Sequence, residues 1–312
     1  MRETPGVAGV LSGFAIIAAV IAVGYVAGRL GVITPETAPL LARLVFFVLA
    51  PCLLFTILAK ASTEDLLSPV LVVPLAAAIA AYTTYAAVAR LAWRRSVAHT
   101  TMGALAAGYV NSNNIGLPVA VYVLGSAAYV APMLMAQLVI VTPIALTVMD
   151  ASTRGRVSVG QVLLGPVRNP LVLASMLGVV VGATGATVPD VVMEPLAMIG
   201  AATVPLLLMN YGASLHGIRV LQPGPERKDV ALATAIKVVA MPAVAWALGA
   251  WVFGLSGHDL FVVVAIAALP SAHNTFNYAQ RYATAELVVR DTILLSTIGA
   301  VPVLLAAAAL LK

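Results

Sequence analysis

Apolar residues in this chain neither alternate nor recur every third and fourth position. They run on for about twenty residues at a time, and short clusters of Pro, Gly and charge separate the runs. Runs of that length match the hydrocarbon core of a bilayer, about 30 Å thick. They predict ten membrane-spanning helices, at residues 7–30, 37–59, 69–92, 100–124, 127–150, 168–185, 190–215, 229–254, 258–282 and 285–311. Helix is the expected conformation throughout, because hydrocarbon offers no partner to a bare peptide group. The first run, Val7 to Leu30, is long for a signal-peptide core and another span follows at once, so it reads as retained. The longest polar stretch surrounds Ser152-Thr153-Arg154-Gly155-Arg156. It divides the chain into a first five-helix repeat at 1–150, a cytoplasmic linker at 151–167 and a second five-helix repeat at 168–312.

The two halves share spacing. Gly24-x3-Gly28-x2-Gly31-x3-Pro35-Glu36 recurs as Gly178-x3-Gly182-x2-Gly185-x3-Pro189-Asp190, every position displaced by 154, and Pro51 maps onto Pro205 at the same offset. Later, Pro143 and Pro302 are 159 apart, consistent with a small insertion. Because each unit holds an odd number of spans, the second enters the membrane upside down relative to the first. The fold expected is an all-α polytopic membrane protein of two inverted repeats, an arrangement common among secondary transporters.

Two spans carry polar interruptions. The fourth reads Tyr109-Val110-Asn111-Ser112-Asn113-Asn114-Ile115-Gly116-Leu117-Pro118, and the ninth Leu269-Pro270-Ser271-Ala272-His273-Asn274-Thr275-Phe276-Asn277. An offset of about 158 places them at equivalent positions in the two repeats. Asn, Ser, Gly and Pro are poor helix formers, and Pro removes a main-chain donor. Polar side chains at mid-bilayer are costly unless they meet each other or a wet cavity. Both spans are therefore expected to unwind near their centres. Each break creates a half-helix N-terminus with free N–H groups and partial positive charge, where an anion is stabilised without a dedicated lysine. The alternative is a pair of proline kinks with Asn packing between helices. The substrate-binding candidates are Asn111, Asn113, Asn114, Gly116, Pro118, Pro270, Ser271, His273, Asn274 and Asn277, with Gln137 in the fifth span and Asn210 in the seventh.

Composition agrees with a lipid-solvated chain: 62% of residues are hydrophobic and 9% charged, against about a quarter charged in soluble domains. The net charge of +5 does not point to nucleic acid, because the basic residues lie in short loops and form no face or tail. With the N-terminus outside, 13 of the 17 fall on the cytoplasmic side, among them Arg29, Arg43, Arg90, Arg94, Arg95, Arg154, Arg156, Arg168, Arg219, Arg227, Lys228, Arg281 and Arg290. That bias predicts both termini outside. The lone Cys52 excludes an intrachain disulfide. His99, His216, His258 and His273 are scattered, no His/Cys/carboxylate spacing suits a metal, and no phosphate-binding loop is present, so neither an enzyme nor direct ATP use is expected.

Lys237 lies within the eighth span. It is a candidate for charge coupling, or alternatively its stem snorkels to the cytoplasmic face. His273 could take up a proton, given an unperturbed pKa of about 6.5, or act as a neutral hydrogen-bond partner. Asp150, Asp291, Arg281 and Arg290 read as interface anchors, and Met133, Met135 and Met149 as packing.

Asn111-x2-Asn114-x-Gly116-x-Pro118 resembles the fourth span of the auxin efflux carrier family. Arg168-Asn169-Pro170 is similar to the opening of that family's sixth span, and Leu269-Pro270-Ser271-Ala272 with Ala279-Gln280-Arg281-Tyr282 to its ninth. The resemblance runs in order along the whole chain. It implies ten spans with crossing fourth and ninth helices, within the bile acid/arsenite/riboflavin transporter superfamily. It also implies one bundle of spans one, two, six and seven moving against the rest, carriage of carboxylates such as malate, malonate or auxin-like acids, and a homodimer. Plant members carry a long central loop where this chain has about 17 residues, so the chain resembles a bacterial, inner-membrane member. No cofactor is implied, and the residues leave Na⁺ and H⁺ both open as coupling ion. An anion-binding sensor and an anion channel are the rival classes.

Overall fold

The computed structural model describes residues 7–60, 69–154, 169–214 and 226–311. The centre of the expected linker, with Arg156 and Arg168, and also His216 and Arg219, lie outside the described residues. Within them the chain is helical: α1 (Val7–Arg29), α2 (Ala38–Leu58), α3 (69–92), α4 (Val97–Gly108), α5 (112–124), α6 (127–154), α7 (Pro170–Thr184), α8 (Asp190–Ser214), α9 (Arg227–Val252), α10 (Gly257–Ala268), α11 (Asn274–Arg281) and α12 (Glu286–Leu311). Among the described residues six helices are long and apolar enough to cross a membrane: α2, α6, α8, α9, α12 and, from Val72, α3. The chain is embedded in a membrane.

Helices α4 and α5 divide the fourth predicted span, and α10 and α11 divide the ninth. At 12 residues each, α4 and α10 are about 18 Å long, little more than half a bilayer core. The helical starts differ slightly from expectation. Ser96 caps α4 by accepting the His99 N–H at 3.2 Å, so helix begins at Val97 instead of 100. Helix α6 continues past 150 to Arg154. The bounds of α4 and α10 are displaced by 160, not 158.

Helix α1 packs along the second half of α8, and α7 along the second half of α2. Glycine makes both approaches possible. A methyl group on Gly24 would overlap the main chain of Met209, and one on Gly178 would lie 2.9 Å from the Phe55 carbonyl oxygen. The two partners are themselves 154 residues apart, the same offset as the two glycines. A second body forms from α3, α4, α9, α10 and α12. At its centre every residue of α10 from Leu260 to Ala268 is buried, as is α4 from Met102 to Gly108. The ends of these two enclosed helices meet, and that meeting positions the site.

Candidate functional site

Helix α10 ends because Pro270 follows it. A residue before proline is biased to extended backbone, and Leu269 adopts φ −55, ψ 144. Helix α4 ends at Tyr109, which is also extended (φ −79, ψ 111). The chain restarts at Asn111, whose side chain accepts the Asn114 N–H at 3.1 Å and so caps α5. Pro118 then lacks the donor that a regular ladder needs, and residues 112–116 take a wider, π-type turn.

The two unwound segments cross antiparallel and pair. Asn111 N–H donates to Pro270 O at 2.8 Å, Ala272 N–H donates to Tyr109 O at 3.0 Å, and Val110 and Ser271 form the bridge. Main-chain groups that hydrocarbon would leave unsatisfied thus satisfy each other. Neighbouring helices complete the accounting. Ser112 Oγ donates to Gln137 Oε1 of α6 at 3.0 Å, and Ser271 N–H donates to Ser296 Oγ of α12 at 3.0 Å. Ser271 Oγ donates to Ala106 O near the end of α4.

Lys237 is 1% exposed. Its Nζ donates to Ala267 O, in the last turn of α10, at 3.0 Å and lies 3.0 Å from the Met241 sulfur. The snorkelling reading of Lys237 is therefore corrected: the stem runs into the protein, where the amine donates to a carbonyl at the C-terminal end of a helix.

Beside the crossing lies a cavity of about 530 Å³. Of the sequence candidates, Asn111, Asn113, Asn114, Gln137, Asn210, His273, Asn274 and Asn277 line it. Gly116, Pro118, Pro270 and Ser271 do not; Pro270 and Ser271 belong to the crossing, and Gly116 and Pro118 lie in α5. Gly116 N–H bonds Asn111 O at 2.8 Å, and a methyl there would press on Val130 and Leu269. Lys237 is also outside the lining. Tyr211 and His273 meet edge to face, 6.5 Å between ring centres. Buried Asn113 Oδ1 and Asn210 Oδ1 have no hydrogen-bond partner among the described residues, so polar capacity is left next to the cavity.

Sequence reasoning missed several lining residues. Tyr109, Tyr211 and Tyr278 supply hydroxyls, and Tyr109 pairs with Thr142 Oγ1 at 2.8 Å. Asn169 adds an amide, and Arg43, read only as a topology signal, stands exposed at the rim with Ala42 and Ser214. Among the described lining residues Arg43 is the one formal cation, and no carboxylate is present. Ser296 could have been found, because the 159 offset carries Gln137 onto it. Among the described residues no group of three or more His, Cys, Asp or Glu is placed to hold a metal.

An enclosed polar crossing inside apolar helices is what a solute-handling membrane protein needs. No curated protein matches the chain. A family model described as membrane transport protein matches residues 10–307. The chain belongs to that membrane transport protein family, the family of the auxin efflux carriers.

Proposed function

We propose that this protein is a secondary active transporter of small organic anions, built from two inverted five-helix repeats and working by alternating access, with substrate bound at the crossing of its two broken helices. The observation that carries this reading is the cavity at the crossing, walled by seven asparagines and one glutamine, with Arg43 at its rim and no carboxylate among its described lining residues. The first turns of α5 and α11 leave N–H groups without helical partners beside it, and the aligned peptide dipoles place partial positive charge there. A carboxylate is the complementary ligand, in molecules such as malate, malonate or an auxin-like acid.

Support for the inverted repeat comes from matched geometry. The pairs Gly24/Met209 and Gly178/Phe55, the bounds of α4 and α10, and the bonds Ser112–Gln137 and Ser271–Ser296 all recur at nearly constant offset. In this reading α1, α2, α7 and α8 form one bundle, and the crossing rides in the other. The bilayer is the inner membrane with both termini outside, so the rim at Arg43 and Ser214 faces the cytoplasm. Lys237 and His273 are the coupling candidates. Lys237 puts an ammonium at a helix end where a bound cation would otherwise be favoured.

Proteoliposome flux tests the proposal. Saturable counterflow of a labelled dicarboxylate or aromatic acid is the expected result. Unsaturating conductance would make the protein a channel, and binding without flux would make it a sensor.

A further inference from the structure

The end of α3 and the end of α9 are built the same way with different chemistry. In the first turn Trp93 N–H donates to Val88 O at 3.2 Å and Arg95 N–H to Ala89 O at 2.8 Å. In the second, 160 residues on, Phe253 N–H donates to Leu248 O at 3.1 Å and Leu255 N–H to Gly249 O at 2.9 Å. Each turn needs one left-handed residue. Gly254 fills that place in the second with φ 62, whereas Arg94 fills it in the first with φ 52. Left-handed backbone is unfavourable for any residue with a Cβ, so the first turn carries strain that its twin avoids. Strain of this kind is a pointer to use. What the strained turn has gained is a guanidinium.

That guanidinium has company. Asp229, fully buried at the start of α9, accepts from Arg95 Nε at 3.1 Å, from Arg95 Nη2, from Tyr85 OH at 3.3 Å, and pairs with His99 Nε2 at 3.2 Å. This knot ties the end of α3 to the start of α9 and engages Arg95. Glu226 is turned toward His99, 3.7 Å from its Nδ1. Arg90, Arg94, Arg227 and Lys228 stay exposed around it. The Lys228 ammonium lies 4.8 Å over the Trp93 ring, and Arg90 uses one N–H on Arg95 O and keeps others free. The equivalent turn at 253–256 has no charged residue.

We propose that this turn, with Arg90, Arg94 and Lys228 around Trp93, binds the phosphate of an anionic phospholipid headgroup. The height is right, because α3 and α9 are both long enough to span and the turn lies where one ends and the other begins. Tryptophan and basic clusters at that level meet headgroups, and the partner chemistry is a phosphodiester with net negative charge.

The test is thermal unfolding of the purified full-length protein in detergent, titrated with dioctanoyl phosphatidylglycerol, dioctanoyl phosphatidylcholine or inorganic phosphate. The phosphatidylglycerol should raise the midpoint by several degrees and the other two should not. Arg94→Gly removes the charge and relieves the strain, so the lipid-free midpoint should hold or rise while apparent lipid affinity falls about fivefold. Adding Lys228→Gln should weaken it further, and Arg29→Gln, an exposed charge elsewhere, should change nothing. Equal shifts with both lipids, or an undiminished response in the double variant, would overturn the proposal. An equal response to inorganic phosphate would also overturn it and assign the turn to a soluble anion.

Discussion

Ser296 Oγ accepts the main-chain N–H of Ser271 at 3.0 Å, at the point where the second interrupted helix loses its ladder. Both residues are fully buried. The pair is separated by 25 residues, and so is the pair Ser112–Gln137 that steadies the first interruption. An unmet buried donor costs about 1–3 kcal/mol. Ser296→Ala should therefore lower unfolding stability in detergent by about that amount, and Ser296→Thr, which keeps the hydroxyl, should restore most of it. An alanine variant as stable as the parent protein would show that the Ser271 N–H does not depend on α12.

Asn111 both caps α5 and faces the cavity, and one substitution separates the roles. Asparagine and aspartate cap equally well, so Asn111→Asp keeps the cap, and any loss of stability is the cost of a charge at a buried position. It adds a negative charge to a wall whose described cation is Arg43. Two unit charges about 8 Å apart at an effective dielectric of about 20 interact by about 2 kcal/mol, so anion affinity should fall about thirtyfold. Asn111→Ala should instead lose about 1 kcal/mol of stability with the cap and lose the ligand response too. Ligand-induced thermal stabilisation reads both, and an unchanged carboxylate response in the aspartate variant would remove the anion from this wall.

The helices and both interruptions were legible because local chemistry decides them. Hydrocarbon forces helix on long apolar runs, and Pro270 pushes Leu269 out of helix. The cap that starts α4 was missed although it is local: Ser96 precedes the run, and the start was expected at 100. The partners were not legible. Arg95 and Asp229 are 134 residues apart and Ser271 and Ala106 are 165 apart, and no local signal links them. Arg43 was read only as a topology signal near the start of the second span, and only packing of α2 against the second half of α8 brings it to the rim. Lys237 stayed open between coupling and snorkelling, because depth along a helix does not say which face a side chain takes.

Lys237→Met keeps the length and most of the volume of the stem. It leaves Ala267 O without the ammonium, a loss that an apolar replacement partly offsets, since buried charges are themselves costly to desolvate. The variant should fold with a change of about 1 kcal/mol or less. If the ammonium is part of coupling, uptake into proteoliposomes should fall and lose its dependence on a proton or sodium gradient. Gradient-dependent uptake at the parental rate in Lys237→Met would confine Lys237 to a structural role.

The close helix approaches give a graded prediction. A methyl on Gly24 meets the Met209 main chain, which cannot rotate away. One on Gly178 meets the Phe55 carbonyl and Leu58 Cβ, both at 2.9 Å, and one on Gly28 meets Ala213 at 3.0 to 3.3 Å. Overpacking of a tight interface costs about 1–3 kcal/mol, and small residues at such interfaces are what let membrane helices touch. Alanine should therefore destabilise in the order Gly24, Gly178, Gly28, with the first two substantial because each separates a helix from its neighbour's main chain. Unfolding midpoints of the three variants in one detergent measure the order. If Gly24→Ala were no less stable than Gly28→Ala, α1 and α8 would have to sit further apart than described, and the symmetric contact of α7 with α2 would lose its counterpart.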